Sequence, residues 1–286
     1  MTFAPDPPGR SGGVPRVLAA GDNVVDRYPN AGLGYPGGNC VNVAVAAARA
    51  GACAAYLGAV APDPAGDLLR GALEAEGVRT DRLRVVAGRT AHCVVDVVAG
   101  ERRFASSDPG VSRFRPDAGD LAYAAGFDAV HVGSSSGLDD QLARFAAVSR
   151  LSYDFAQITD PAHVRSVAPM AWLATFSAGH LSHDEARALG AEAVAAGAAR
   201  VLLTRGAAGA LLTDGAGTWE VPAARADVVD TLGAGDAFTG TLLVGLLRGE
   251  EPGSALHAAA RSAARTCSQP GAFGHPAPDP LATAGV

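Results

Sequence analysis

Short apolar runs alternate with helical stretches along most of this chain, and that alternation restricts the fold more than any single residue does. Strand candidates lie at 16–21, 52–60, 128–133, 151–155, 172–176 and 200–204. An alanine-rich helical stretch at 38–51 separates the first two, another follows at 64–76, and each later strand follows a helical stretch of its own. A helix that carries the chain back to the same end of a sheet places successive strands parallel. The pattern therefore predicts a mainly parallel sheet covered by helices on both faces. Ser182 with Glu185 three residues on predicts a capped helix start, and Asp214-Gly215 between 208–213 and 217–221 predicts a hairpin.

Two segments break the rhythm. One is 23–36. The other, 79–106, reads as three β segments at 82–86, 91–98 and 102–105, with β-branched Val94, Val95, Val97 and Val98 and a turn at Ala99-Gly100. Neither suits a crossover helix, so both are expected in a small sheet that projects as a lid. Proline and glycine crowd both ends. The expected organisation is a disordered tail at 1–14, one domain at 15–273 with the lid inserted, and a flexible tail at 274–286.

Composition narrows the class. Of 286 residues, 48% are hydrophobic and 18% charged, which suits a globular protein with a substantial core. A net charge of −6 with 6% aromatic residues argues against a nucleic-acid surface. All 23 basic residues are arginine, so no lysine-dependent phosphate loop is present. Cys40, Cys53, Cys93 and Cys267 show no Cys-x-x-Cys spacing and read as reduced thiols. No apolar run reaches the roughly 18 residues of a membrane span, and the N-terminus has no signal-peptide core. A cytoplasmic protein without a membrane partner is expected.

The chemistry concentrates at Asp230-Thr231-Leu232-Gly233-Ala234-Gly235-Asp236-Ala237-Phe238. Small residues at 233–235 let backbone N–H groups converge, and the apolar helix that follows adds its positive end: an anion pocket. Asp236 in the first turn would stand beside a docked phosphate and could take a proton from an attacking hydroxyl. Upstream, Gly37-Gly38-Asn39-Cys40-Val41-Asn42 opens a helix. Asn39 and Asn42 share one helix face and offer both donors and acceptors to a polyol. Asp22 follows the first strand, where parallel sheets place ligands. The polar turn Thr204-Arg205-Gly206-Ala207-Ala208-Gly209 could accept phosphates through its amides.

In order and spacing these motifs resemble the ribokinase-like (PfkB) carbohydrate kinases, from about residue 16 to about 273. Within that family, Gly21-Asp22-Asn23-Val24-Val25-Asp26, Tyr35-Pro36-Gly37-Gly38-Asn39 and Asn42-Val43-Ala44-Val45 are most similar to fructoselysine 6-kinases. The resemblance implies a three-layer α/β/α domain with a small β-sheet lid. It implies ATP-dependent phosphorylation of a primary hydroxyl on a ketose-type sugar, a fructosamine such as fructoselysine. It implies Asp236 as catalytic base and Gly233, Ala234 and Gly235 as the anion hole. Asp22, Gly37, Gly38, Asn39 and Asn42 would hold the sugar. Thr204, Gly206, Gly209, Thr231, Gly233 and Gly235 would lie along the nucleotide. ATP and Mg²⁺ are the implied cofactors, and in some members K⁺ sits where Asp230 stands. A homodimer through the lid is also implied.

Two departures matter. An Asn-x-x-Glu motif near the magnesium site is replaced by Ser177-Ala178-Gly179-His180, so no metal ligand is assigned. Ribokinases proper carry lysine where this chain has Asn39, which counts against ribose. Arg27, Arg89, Arg102 and Arg103 on the lid could meet a substrate carboxylate, and His92 could face the ligand. A kinase of another sugar or nucleoside is the alternative on this fold. A serine hydrolase is the alternative of another class: Gly133-Ser134-Ser135-Ser136-Gly137 spells a nucleophile elbow around Ser135, with His257 or His275 as base. That reading leaves 230–238 unexplained.

Overall fold

In the computed structural model, residues 13–98 and 101–281 are described, with the backbone alone at 96–98 and 101–104. The elements run β1 (Arg16–Ala20), β2 (Val24–Tyr28), β3 (Leu33–Gly37), α1 (Asn39–Arg49), β4 (Cys53–Val60), α2 (Pro64–Ala75), β5 (Arg79–Val85), β6 (His92–Val98), β7 (Glu101–Asp108) and α3 (Ala118–Ala124). They continue with β8 (Ala129–Gly133), α4 (Leu142–Ala146), β9 (Arg150–Asp154), α5 (Pro161–Val167), β10 (Ala171–Ser177), α6 (His183–Ala195) and β11 (Val201–Thr204). The chain closes with β12 (Ala210–Thr213), β13 (Thr218–Val221), α7 (Ala234–Leu247), α8 (Pro252–Cys267) and β14 (Ala277–Pro278).

A nine-stranded sheet has the order β13-β12-β11-β10-β9-β8-β1-β4-β5, parallel except for the hairpin strands β12 and β13 at one edge. Its central strands are apolar on both faces, as a covered parallel sheet requires. Val17 and Ala19 face a core built with α1, α2, α7 and α8, while Leu18 and Ala20 face one built with α4, α5 and α6. Each fully buried leucine or valine there stabilises the fold by roughly 1.5–3 kcal/mol. The capping box at Ser182 and Glu185 forms as expected.

From β1 the chain moves outward to β4 and β5, then returns to β8 on the other side and continues away. Strand order thus reverses between β1 and β8. The carboxyl ends of those two strands frame the crevice where an open α/β sheet binds its ligand.

The second sheet has the order β14-β3-β2-β6-β7 and forms the lid. Two expectations need correction. The segment expected as the lid's strand at 82–86 belongs to β5, which lies parallel to β4 at the edge of the large sheet. The unit β4-α2-β5 is itself a crossover; its Arg-rich last strand merely looked unlike the others. The C-terminal stretch is not loose at 277–279 either. Ala277–Pro278 pairs with β3, and the Arg27 guanidinium grips Asp279 with Nε and Nη2 at 2.8 Å each. Of the expected tails, residues 1–12 and 282–286 lie outside the described residues.

Candidate active site

Five backbone segments meet at the reversal point: the ends of β1, β8 and β9 and the starts of α1 and α7. Asp22, just past β1, accepts the backbone N–H of Asn39 at 2.9 Å through one oxygen and the Ser136 hydroxyl at 2.8 Å through the other. A carboxylate at the first turn of α1 suits that helix's positive end, and it anchors Asn39 in place. Asn39 then projects its amide between two carboxylates, donating to Asp154 Oδ2 at 2.7 Å and to Asp236 Oδ1 at 2.8 Å. One turn on, Asn42 donates to the other oxygen of Asp236 at 2.7 Å. The same-face spacing of the two asparagines is real, but in this arrangement both serve Asp236 directly.

Asp236 occupies the first turn of α7, whose cap is Gly233 at φ +73°. A side chain there would run into Ala272, and L-residues rarely adopt that backbone, so glycine is required. Among the described residues, the N–H groups of Gly235 and Asp236 donate to no other backbone group, and nothing lies within 4 Å of the space beside Gly235. Free donors at a helix start, bordering open space, leave this position able to receive an anion.

Burial pushes the Asp236 carboxyl up to about 7; the nearby Asp154 charge adds to this, and the two asparagine donors hold it down. Asp154, buried at the end of β9, is likewise pushed up to about 6 by burial, against donors from Ala156 and Asn39. Among the described residues neither carboxylate has an arginine partner. Two acids bridged by an amide, one of them bordering open space, are not held in an ion pair among the described residues, and such an arrangement can exchange a proton near neutral pH. A cavity of about 460 Å³ lies behind this site, sharing only Asn42 and Gly233 with it; Asp236 does not line it.

Several expected contacts are placed differently. The missing side chains of Gly37 and Gly38 face Asp26 and the Asn23 backbone, so the pair permits close chain approach within the protein. Gly206 borders open space, but Gly209 is buried against the Val221 carbonyl and closes the turn, its N–H bonded to Gly206 at 3.0 Å. Thr231 is exposed, and Thr204 is half-buried with its hydroxyl toward the Phe176 carbonyl at 3.4 Å. Arg27 is engaged by Asp279, which removes it from the substrate-carboxylate candidates, and Arg89 is exposed. The side chains of Arg102 and Arg103 lie outside the described residues. His92 keeps a buried Nδ1 without a hydrogen-bond partner.

Asp230 is buried, its carboxylate accepting the N–H of Leu232 at 2.6 Å and of Gly271 at 2.9 Å, with the Tyr28 hydroxyl at 3.3 Å. These contacts make it a staple joining loop, C-terminal segment and lid. The hydrolase reading loses its parts. Ser136, not Ser135, is the hydroxyl held in the site, and His275 is bonded to Glu76 at 2.7 Å. No histidine bonds Ser135 among the described residues.

Sequence reasoning missed Asp154, His131 and Ser136. The rule that singled out Asp22, a carboxylate at the end of a parallel strand, applies equally to Asp154.

Comparison with known proteins agrees with this geometry. The profile of the pfkB family carbohydrate kinases matches residues 22–279. Fructosamine kinase FrlD of Bacillus subtilis is 36% identical over 265 residues, covering 91% of this chain and 93% of the relative. Fructoselysine 6-kinase of Escherichia coli is 32% identical over 260 residues, covering 90% and 99%. The ribokinase of Arabidopsis thaliana, solved with ribose and ATP, superposes with a TM-score of 0.81 at 20% identity over 94% of this chain and 97% of that one, a likeness of fold alone. The chain belongs to the pfkB family of carbohydrate kinases and is an ATP-dependent sugar kinase.

Proposed function

We propose that this kinase phosphorylates the 6-hydroxyl of a fructosamine, a ketose sugar bearing an amino-acid substituent such as fructoselysine. The observation that carries the reading is full-length similarity to a fructosamine kinase and a fructoselysine 6-kinase at 36% and 32% identity. Asn39 in place of a lysine agrees with it.

The chemistry follows from the site. The γ-phosphate of ATP lies against the free N–H groups at Gly235 and Asp236, and Gly206 leaves room along the nucleotide path. The sugar's primary hydroxyl donates to Asp236 as its oxygen attacks phosphorus in line. The O–P bond to the new acceptor forms while the bond to the β,γ-bridging oxygen breaks, and the hydroxyl proton passes to the carboxylate. A base titrating near 7 is half ionised at neutral pH, so it accepts a proton readily and releases it again. Asn39 and Asn42 fix both carboxylate oxygens and so limit the orientations it samples. Lid closure over the sugar excludes water, which would otherwise compete as acceptor.

Mg²⁺ would neutralise charge on the transferring phosphoryl group. At 177–180 the Ser177 N–H is bonded to the Ala156 carbonyl and Ala178 is buried, and among the described residues no group of three or more His, Cys, Asp or Glu side chains is arranged to hold a metal ion. That donor set fits a magnesium ion carried mainly by the nucleotide's phosphates and water, as this ion commonly is.

Phosphorylation of fructoselysine, fructose, ribose and adenosine, followed by ³¹P NMR and ATP consumption, tests the reading. Fructoselysine is expected to exceed each of the others at least about tenfold in kcat/KM, a difference of about 1.4 kcal/mol. Preference for free fructose, ribose or adenosine would contradict it.

A further inference from the structure

We propose that His131 is a positioning residue for phosphoryl transfer: it locks the Asn39 side chain so that the amide's two N–H groups face Asp154 and Asp236. The proposal rests on Asp236 being the base.

His131 lies on β8 with no solvent exposure, between Ser152 of β9 and Asn39 of α1. Its Nδ1 is 3.0 Å from the Ser152 hydroxyl and its Nε2 is 3.0 Å from Asn39 Oδ1. The polarity of this chain is forced. With both acids ionised, the Asn39 atom lying between them must be the nitrogen, because an oxygen there would meet only acceptors. The other end of the amide is then an acceptor, so His131 must donate from Nε2. Burial pushes the imidazole down to about 3, which keeps it neutral with a single N–H. Nδ1 is therefore bare and accepts from Ser152. Rotating the Asn39 amide by half a turn would set N–H against N–H at His131 and oxygen against both acids. The imidazole thus removes the alternative orientation.

A second observation points the same way. Gly133, two residues along the same strand, is a glycine because any side chain there would overlap Asn39 Oδ1. β8 therefore supplies both the donor that orients the amide and the space that receives it. An ordinary core histidine would satisfy its ring nitrogens on any available partners. Here one of them sets the direction of the amide that both acids share.

The consequence has a sign. Freeing the amide removes a donor from each carboxylate, and a carboxylate that loses a donor is harder to ionise. The lower limb of the pH–rate profile should then move upward.

Three measurements test this. ¹⁵N NMR of the ligand-free wild-type protein is expected to show His131 protonated on Nε2 alone at pH 8 to 9, where both acids are ionised; an Nδ1–H tautomer, or a doubly protonated ring, in that range overturns the proposal. His131→Phe is expected to lower kcat about 10–100-fold and to shift the lower pH limb upward, with KM for ATP within about twofold of wild type; His131→Gln, which keeps an N–H donor, should recover at least part of the rate. Gly133→Ala, which displaces the same amide from the other side, should reproduce the kinetic signature of His131→Phe. A folded His131→Phe variant with a lower melting temperature but wild-type kcat and pH profile marks a packing histidine and overturns the proposal. The NMR experiment needs no substrate. A wild-type enzyme inactive on every sugar would reject the proposed function, while the tautomer still reports on the amide.

Discussion

Asp236 is subject to opposed influences, and their balance sets its chemistry. Burial and the neighbouring Asp154 charge favour the protonated acid, whereas the amides of Asn42 and Asn39 favour the anion, leaving the carboxyl at about 7. The rate of a kinase using it as base should rise through that region as the proton leaves. We expect kcat/KM to increase with an apparent pKa near 7, and Asp154→Asn, which removes the second charge, to move that limb downward by about a unit or less. Steady-state kinetics from pH 5 to 9 checks both; a profile flat over that range, or one that moves upward in Asp154→Asn, counts against the account. The same balance limits stability. In the unfolded chain the carboxyl returns to about 4, so between roughly pH 4 and 7 the native state holds a proton that the unfolded state has released. The contribution of this group to stability therefore falls as pH rises through that window. At this scale the sequence was informative where residues sit in a local motif, as Asn39 and Asn42 do three apart on one helix and Asp236 does directly after the small residues 233–235. It passed over Asp154 and His131, polar residues on β9 and β8 whose shared partner, Asn39, lies on a helix about a hundred residues away in the chain.

At the scale of elements, one carboxylate joins a helix to the lid. Asp63 caps α2 by accepting the Gly66 N–H at 2.8 Å, and it also takes the N–H and hydroxyl of Thr90 at 2.9 and 2.6 Å, just before β6 enters the lid. Burial opposes ionisation there, but the Thr90 and Gly66 donors outweigh it and hold the carboxyl below its usual range. Its contribution is present above about pH 4 and is lost on acidification. Asp63→Ala is expected to cost about 1–2 kcal/mol, the scale of a lost helix cap, and to raise KM for the sugar more than it lowers kcat; thermal melts and kinetics measure the two effects. Unchanged sugar KM would separate this clamp from the lid. Local signals of this kind read well from sequence when they follow the common form. The box at Ser182 and Glu185 was evident, but the box at Asp117 and Asp120 on α3 uses two aspartates and passed unnoticed. The placement of β5 was misread for a related reason: it is an arginine-rich edge strand without a buried apolar run, and only its pairing with β4 shows where it belongs.

Over the whole molecule, the alternation of strand and helix was enough to predict a covered parallel sheet, because a parallel strand pair requires a crossover. It could not give strand order, since pairing between β1 and β8 joins segments more than a hundred residues apart. That order places Asp22, Gly133 and Asp154 around Asn39 and so makes the site. It also leaves the lid dependent on the chain's far end, through the Arg27–Asp279 pair, with Asp279 only 8% exposed. Arg27→Ala leaves that carboxylate without its partner. We expect a loss of about 1–3 kcal/mol, easier proteolysis near residue 277, and weaker sugar binding with ATP binding retained; an unchanged melting temperature and cleavage pattern would show that β14 is not held by this pair. The central claim, that Asp236 takes the acceptor's proton, is tested most directly by turnover of Asp236→Asn with ATP and fructoselysine, beside ATP affinity by calorimetry. The account predicts a folded protein that binds ATP like wild type and turns over about 10²–10⁴-fold more slowly; turnover within a few-fold of wild type would contradict it.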